Sequence, residues 1–460
     1  MAILALCVAM AMTACSENTD TAEVEKTTAT AESAEAGAPT EAEAEKQEQL
    51  AEAGQYYEAG RRNLYGLDGA QIDLEDARTN FTKAQELGNT DANLYLGVLV
   101  DDWYGYPKKD YQQARAYYEQ SGDNPYAQIA LGFLYYYGNG VDQDMEKGKE
   151  LFQSAVDQGV VEGYYGLAKV AENVGDIETA LEHYNKVVED GTEQFYIASA
   201  MVYLGYIYET GDGVEQDGAK AVEWYTKAAD LGDSDAMNSL GYMYETGNGV
   251  EQDGAKAAEW YTKAADSGHT DAMNYLGYIY EHGDVVEQDV AKAVGWYTKA
   301  ADLGNTDAIN SLGYMYAEGY GVEQDNDKAL EWYVKSLSSF PDYEVYKIIV
   351  DILHGEDAAE KWFEESGDAE KMMALAELYR SHYSDNGEQV LPDFDKAIEW
   401  YTKAADLGNS DAMKMIGNMY KLGSLYGGED DLEKAIEWYQ KAADLGNSDA
   451  QSYLERLQGQ

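Results

Sequence analysis

Trp224, Trp260, Trp296 and Trp332 recur every 36 residues, and Gly205, Gly241, Gly277 and Gly313 keep the same interval. The residues between them are nearly identical, so the chain is built from copies of one unit. The two to four independent domains that 460 residues would otherwise suggest are not needed. A unit this short cannot cover its own apolar face and must stack on its neighbours. With 45% apolar residues and 12% aromatics there is enough material for a core along most of the length.

One copy runs Asp235-Ala236-Met237, Leu240-Gly241 and Tyr244, then Gly247-Asn248-Gly249-Val250-Glu251-Gln252-Asp253. It continues with Lys256-Ala257, Trp260-Tyr261, Ala264-Ala265 and Gly268. Ala236, Leu240 and Tyr244 fall on one face of a first helix. Ala257, Trp260, Tyr261 and Ala264 give a second helix the i, i+3, i+4, i+7 pattern. Gly241 in mid-helix costs about 1 kcal/mol relative to alanine, so its recurrence predicts a packing notch where helices cross closely. Gly247 and Gly249 suit left-handed backbone in the turn, and Val250 plugs the gap between the helices. Asp253 is expected to cap the second helix and Asp235 the first. Five prolines against 45 glycines fit helices that are closed by glycine and left unbroken inside.

This pattern, from Leu240-Gly241 and Tyr244 through Gly247, Gly249-Val250, Asp253, Lys256-Ala257, Trp260-Tyr261 and Lys263-Ala264-Ala265 to Gly268, resembles the Sel1-like repeat, a relative of the tetratricopeptide repeat. The match is tightest between Leu204 and Tyr333. Looser copies at Leu131-Gly132, Gly138-Asn139-Gly140-Val141 and Asp144, and at Ile416-Gly417, Trp438-Tyr439 and Ala442-Ala443, carry it toward both ends. The resemblance implies an all-α fold, a right-handed α-solenoid of antiparallel helix-pair repeats. Residues 49–460 are expected to hold about eleven such pairs, most regular over 199–335, with a C-terminal capping helix. Val160 to Gly191 is shorter and closer to a tetratricopeptide repeat, whereas Tyr343 to Gly367 keeps Trp362 but lacks the glycine loop.

Ala2 to Met12 form an apolar run too short to span a bilayer, so residues 1–14 read as a signal peptide. Met12-Thr13-Ala14-Cys15 resembles a bacterial lipobox, which implies a lipid on Cys15 and, with Ser16 after it, retention at the outer membrane. A plain signal peptide cleaved after Ala14 is the alternative. The stretch through residue 48 is rich in Ala, Glu and Thr with Pro39, and is expected to be a disordered acidic tether. With Cys7 leaving in the signal, Cys15 stands alone and no disulfide is expected.

The formal charge of −55 repels nucleic-acid phosphates and anionic headgroups, leaving cationic partners and, through the lipid alone, the membrane. Chemistry is sparse. His183, His269, His282, His354 and His382 include no pair at the i, i+4 spacing of a zinc site. No nucleophile elbow, phosphate loop or dinucleotide fingerprint is present. The carboxylates of Glu209 to Asp217 lack the alternating ligand spacing of an EF-hand, and a solvated turn with a helix cap accounts for them. No catalytic residue, metal site or cofactor is expected.

The residues that stand out lie on the first helices. Tyr206, Tyr242, Tyr278 and Tyr314 each follow a notch glycine. Each stands two positions, about 200° around the helix, before the expected core residues Tyr208, Tyr244, Tyr280 and Tyr316. Since first helices of such solenoids line the concave surface, the four tyrosines with Asn238, Asn274 and Asn310 form a candidate partner-binding ladder, the alternative being padding between repeats. The resemblance implies a scaffold that holds other proteins, by cationic or extended segments, in the bacterial cell envelope, lipid-anchored at the outer membrane and facing the periplasm. Two other readings rest on resemblance. One is a scaffold lipoprotein of exopolysaccharide secretion, with a polysaccharide among its ligands. The other is a β-lactam-binding or hydrolysing protein, whose relatives carry paired cysteines that are missing here.

Overall fold

A computed structural model describes residues 41–67, 71–101, 109–284, 286–381, 383–385, 388–390, 392–423 and 430–458. The signal segment, Cys15, the tether before residue 41 and His382 lie outside them. The first described helix, Glu41–Tyr65, takes in residues 41–48, assigned above to the tether.

The fold is an α-solenoid of antiparallel helix pairs, and among the described residues there are 23 helices. The chain divides into two compact units, one ending at His269 and one beginning at Thr270. In the first, helix pairs follow one another from Glu41–Tyr65 with Leu74–Glu86 to Ser234–Thr246 with Gly254–Asp266. In the second they run from Thr270–His282 with Val290–Asp302 to Ser410–Lys421 with Leu432–Asp444, and Ser448–Gln458 closes the row. Within each unit the second helix of a pair also packs on the first helix of the next, which is how the apolar faces are covered. An antiparallel ribbon of Tyr383–Asp385 with Glu388–Val390, Tyr383 opposite Val390, interrupts the helices in the second unit.

The repeat at 234–269 shows why the sequence folds this way. Asp233, in extended backbone, accepts a hydrogen bond from the Ala236 N–H at 2.9 Å and starts the first helix. Asp235 was expected in that role, but it is already inside the first turn. Gly247 ends the helix in left-handed backbone, with φ of 77°. The Gln252 side chain then donates to the Glu245 carbonyl at 2.8 Å and ties the loop to the helix it has left. Val250 packs against the core of the first unit. Asp253 accepts from the N–H groups of Ala255 and Lys256, both at 3.1 Å, and starts the second helix. Gly249 lies so close to the backbone of Gly218, in the preceding repeat, that no Cβ fits.

The core of each regular repeat is a tyrosine ring seated on a glycine. A Cβ on Gly241 would stand 2.6 Å from Tyr261 Cδ1, and Gly205 with Tyr225, Gly277 with Tyr297 and Gly313 with Tyr333 repeat the arrangement. The notch thus admits a ring from the second helix rather than a second backbone. Tyr261 is fully buried, and burying a side chain of that size is worth roughly 2–3 kcal/mol. On the first helix the buried residue beside the notch is Met243, not Tyr244, which is half-buried with Lys256 Nζ 5.0 Å from its ring centre. Tyr208, Tyr280 and Tyr316 are likewise half-buried under Lys220, Lys292 and Lys328. Trp260 is also half-buried, with Lys263 Nζ 3.9 Å above it. The repeated tryptophans therefore line the edge of the core, and the tyrosines after them fill it.

The two irregular stretches pair their helices by other means. Gly163–Asn173 and Ile177–Asp190 are joined by a short turn with Gly175 at φ of 76°. Tyr343–Leu353 and Glu356–Glu365 are joined through His354, whose φ of 64° makes it the one non-glycine residue in left-handed backbone among the described residues.

Candidate functional site

In the first unit Tyr206 and Tyr242 are 50% and 47% exposed, and in the second Tyr278 and Tyr314 are 46% and 54% exposed. Each sits on a first helix. The notch glycine before it turns toward the core, and a step of about 100° carries the tyrosine to the surface. Asn238, Asn274 and Asn310 stand four residues before Tyr242, Tyr278 and Tyr314, so each asparagine shares a helical stripe with its tyrosine. Val202 occupies the matching place before Tyr206.

The asparagines are half-buried, and the side-chain oxygen of each is buried without a hydrogen-bond partner. Leaving such an oxygen unpaired costs about 1–3 kcal/mol. Stability of the isolated chain gives no reason for three copies of that cost.

Two features of this face were not found in the sequence. Tyr275, three residues before Tyr278, is 42% exposed and widens the aromatic surface there, while Ser239 and Ser311 hold its place in neighbouring repeats. His282 stacks on Tyr278 with ring centres 4.2 Å apart, and its Nδ1 lies 3.0 Å from the Tyr278 carbonyl. The i, i+3 and i, i+4 spacings of these residues were visible, but no rule separates an exposed histidine beside a tyrosine from a solvated one.

Several other ionisable residues have structural work. Tyr225, Tyr261 and Tyr297 donate to Glu209, Glu245 and Glu281 at 2.6, 2.6 and 2.7 Å. Burial, then the bond to its glutamate, pushes the hydroxyls of Tyr225 and Tyr297 well above the ordinary range. In the acidic loop Asp217 caps the next helix through the Lys220 N–H, so Glu209 and Asp217 both have protein partners. His269 Nε2 lies 3.2 Å from Asp235 of the preceding repeat, and His183 packs beside Tyr164. No described helix is long and apolar enough to cross a membrane.

Eight segments match the Sel1 repeat model: 90–124, 125–160, 198–233, 234–269, 270–305, 306–338, 372–409 and 410–447. The chain belongs to the Sel1 repeat family. Residues 161–189, the short irregular stretch, match a tetratricopeptide repeat model instead. Among solved structures, the chain is similar to a protective antigen of uropathogenic Escherichia coli displaying an SLR fold. Identity is 30%, covering 90% of this chain and 89% of that one, with a TM-score of 0.41. It is also similar to a Sel1 repeat protein from Oxalobacter formigenes at 28% identity, covering 62% of this chain and 98% of that one, with a TM-score of 0.37. Sel1 repeat proteins are generally protein-interaction scaffolds, and families of such repeats are generally non-enzymatic.

Proposed function

We propose that this Sel1 repeat protein is a non-catalytic scaffold that holds an extended segment of another protein along the first helices of its repeats. The observation that carries the reading is the repeated pairing of a half-exposed tyrosine with an asparagine whose amide oxygen lacks a partner. Rotation of the asparagine side chain brings that oxygen to the surface, where a backbone N–H of the bound segment pairs it. The adjacent ring supplies flat apolar area at little cost in conformational entropy. A scaffold carrying −55 charges favours segments rich in lysine and arginine, and salt weakens the encounter.

The same proposal places the protein in a bacterial cell envelope, lipid-anchored through Cys15 at the outer membrane and facing the periplasm. The residue pattern Met12-Thr13-Ala14-Cys15 is what supports this. Mass spectrometry of the protein isolated from its own cells tests it. A diacylglyceryl group on Cys15 supports the anchor, and an unmodified N-terminus beginning at Cys15 removes it.

Affinity purification after mild crosslinking, with the native chain beside a Tyr206→Ala/Tyr242→Ala variant, tests the binding face. The expected result is a protein recovered with the native chain and lost with the variant. Equal recovery by both moves the binding surface elsewhere.

A further inference from the structure

The first unit contains a cleft of about 240 Å³ whose walls are mostly rings. Phe133 and Tyr137 come from the helix Pro125–Tyr137, Tyr165 from Gly163–Asn173, and Phe195 and Tyr196 from the start of Gln194–Thr210, with Asp101 among the lining residues. All three helices are first helices of their pairs. The cleft arises where the short tetratricopeptide-like pair interrupts the regular repeats and brings the aromatic residues of three successive first helices together. Phe133 and Tyr137 stack with centres 6.1 Å apart, Phe133 lies 6.0 Å from Tyr165, and Tyr165 lies 5.4 Å from Tyr196. Phe133 follows the notch Gly132, so it holds the place that Tyr206 and Tyr242 hold in later repeats. Tyr137, 55% exposed, forms the rim.

We propose that this cleft receives one cationic side chain, an arginine or lysine, of the protein bound to the scaffold. The inference rests on the reading that the first-helix face binds polypeptide, and it adds the chemistry of one anchor residue. Size supports it, since drug-sized ligands occupy about 300–1,000 Å³ and this cleft is smaller. Electrostatics support it as well. Ring faces attract cations, and Asp101, only 6% exposed, adds a carboxylate in surroundings that screen it poorly. Asp101 accepts a hydrogen bond from Tyr118 at 3.1 Å, which fixes its position.

The chain already seats its own cations on neighbouring rings, with Lys147 Nζ 3.9 Å from the centre of Tyr135 and Lys169 Nζ 3.9 Å from that of Tyr203. Among the described residues none of its lysines or arginines stands over Phe133, Tyr137 or Tyr165. Lys169, whose charge reaches Tyr137, is paired with Glu172 at 2.8 Å. A glycan fits less well, because among the described residues of the lining Asp101 and Asn139 are the only charged or amide side chains to meet its hydroxyls.

The test is calorimetric titration of the full chain at moderate salt with N-acetyl-arginine amide, N-acetyl-lysine amide, N-acetyl-citrulline amide and a neutral oligosaccharide. Citrulline keeps the shape of arginine without its charge. The expected result is binding of the two cations, at least about tenfold weaker binding of citrulline, and a loss of about fivefold or more for Tyr137→Ala with an unchanged melting temperature. Equal binding of citrulline, an undiminished affinity in Tyr137→Ala, or preference for the oligosaccharide overturns the proposal. If the cations fail to bind while the native chain still recovers a protein dependent on Tyr206 and Tyr242, the cleft alone is wrong. If no protein is recovered but the cations bind here, the ladder reading is wrong and the cleft stands as a small-cation site.

Discussion

The ring of Tyr297 occupies the space that a side chain on Gly277 would need, its Cδ1 2.5 Å from the place of the missing Cβ. In the same repeat Gly295 lies mid-helix in open space, where Glu223, Glu259 and Glu331 stand in the other regular repeats. Helix propensity favours alanine at both sites by about 1 kcal/mol, so packing decides the sign. Gly277→Ala overpacks a buried ring and is expected to cost about 1–3 kcal/mol net, whereas Gly295→Ala gains up to about 1 kcal/mol. Urea denaturation of the two variants should move the midpoint in opposite directions.

Tyr297 also donates to Glu281 at 2.7 Å, while Ala317 takes the place of that glutamate below Tyr333. Tyr297→Phe removes a bond to a charged acceptor and leaves Glu281, only 15% exposed, short of a partner, a loss of about 1.5–3 kcal/mol. Tyr333→Phe should cost less than about 0.5 kcal/mol. Comparable losses in the two thermal melts would show that the hydroxyl–carboxylate pair contributes nothing.

Burial, helped by the charge of Asp235, lifts the carboxyl of the cap residue Asp233 to about 6. Between the ordinary carboxylate value and about 6, the folded chain holds a proton that the unfolded chain has released. Stability therefore falls as pH rises through that window and stays lower above it. Asparagine caps the same position at Asn305 and Asn409. Asp233→Asn keeps the cap and should stabilise the chain at pH 7 by on the order of 2 kcal/mol, with little difference below pH of about 4. Melting temperatures of both proteins across this range check the sign, and a variant less stable than the native chain at pH 7 refutes it.

Much of this architecture was legible because a 36-residue period repeats each packing decision. Glycine at Gly247, the cap at Asp253 and the spacing of Ala257, Tyr261 and Ala264 on the second helix each had one physical use, and each has it in the structure. Choices between neighbours were harder. Met243 and Tyr244 are both apolar and 100° apart, and only the position of the adjoining helices puts methionine inside and tyrosine at the edge. Asp233 and Asp235 are both able to cap, and the turn geometry selects the earlier one. The cleft around Phe133 was invisible because its walls come from four helix pairs of unequal design.

Removing the rings of Tyr206 and Tyr242 should leave the fold intact, since about half of each is already in water. The double alanine variant is expected to melt within about 1 °C of the native chain and to lose at least tenfold in affinity for a recovered partner, in keeping with aromatic anchors worth roughly 1–2 kcal/mol or more. A matching loss of stability would mean that the tyrosines pad the repeats.

Site-directed photocrosslinking is the most direct test of where the partner lies. A benzophenone amino acid is placed either at Tyr242, on a first helix, or at Glu259, exposed on the second helix of the same repeat. Illuminated in the cells that make this protein, the Tyr242 probe should join the partner and the Glu259 probe should not. Adducts of equal strength from both positions, or from Glu259 alone, would contradict the account.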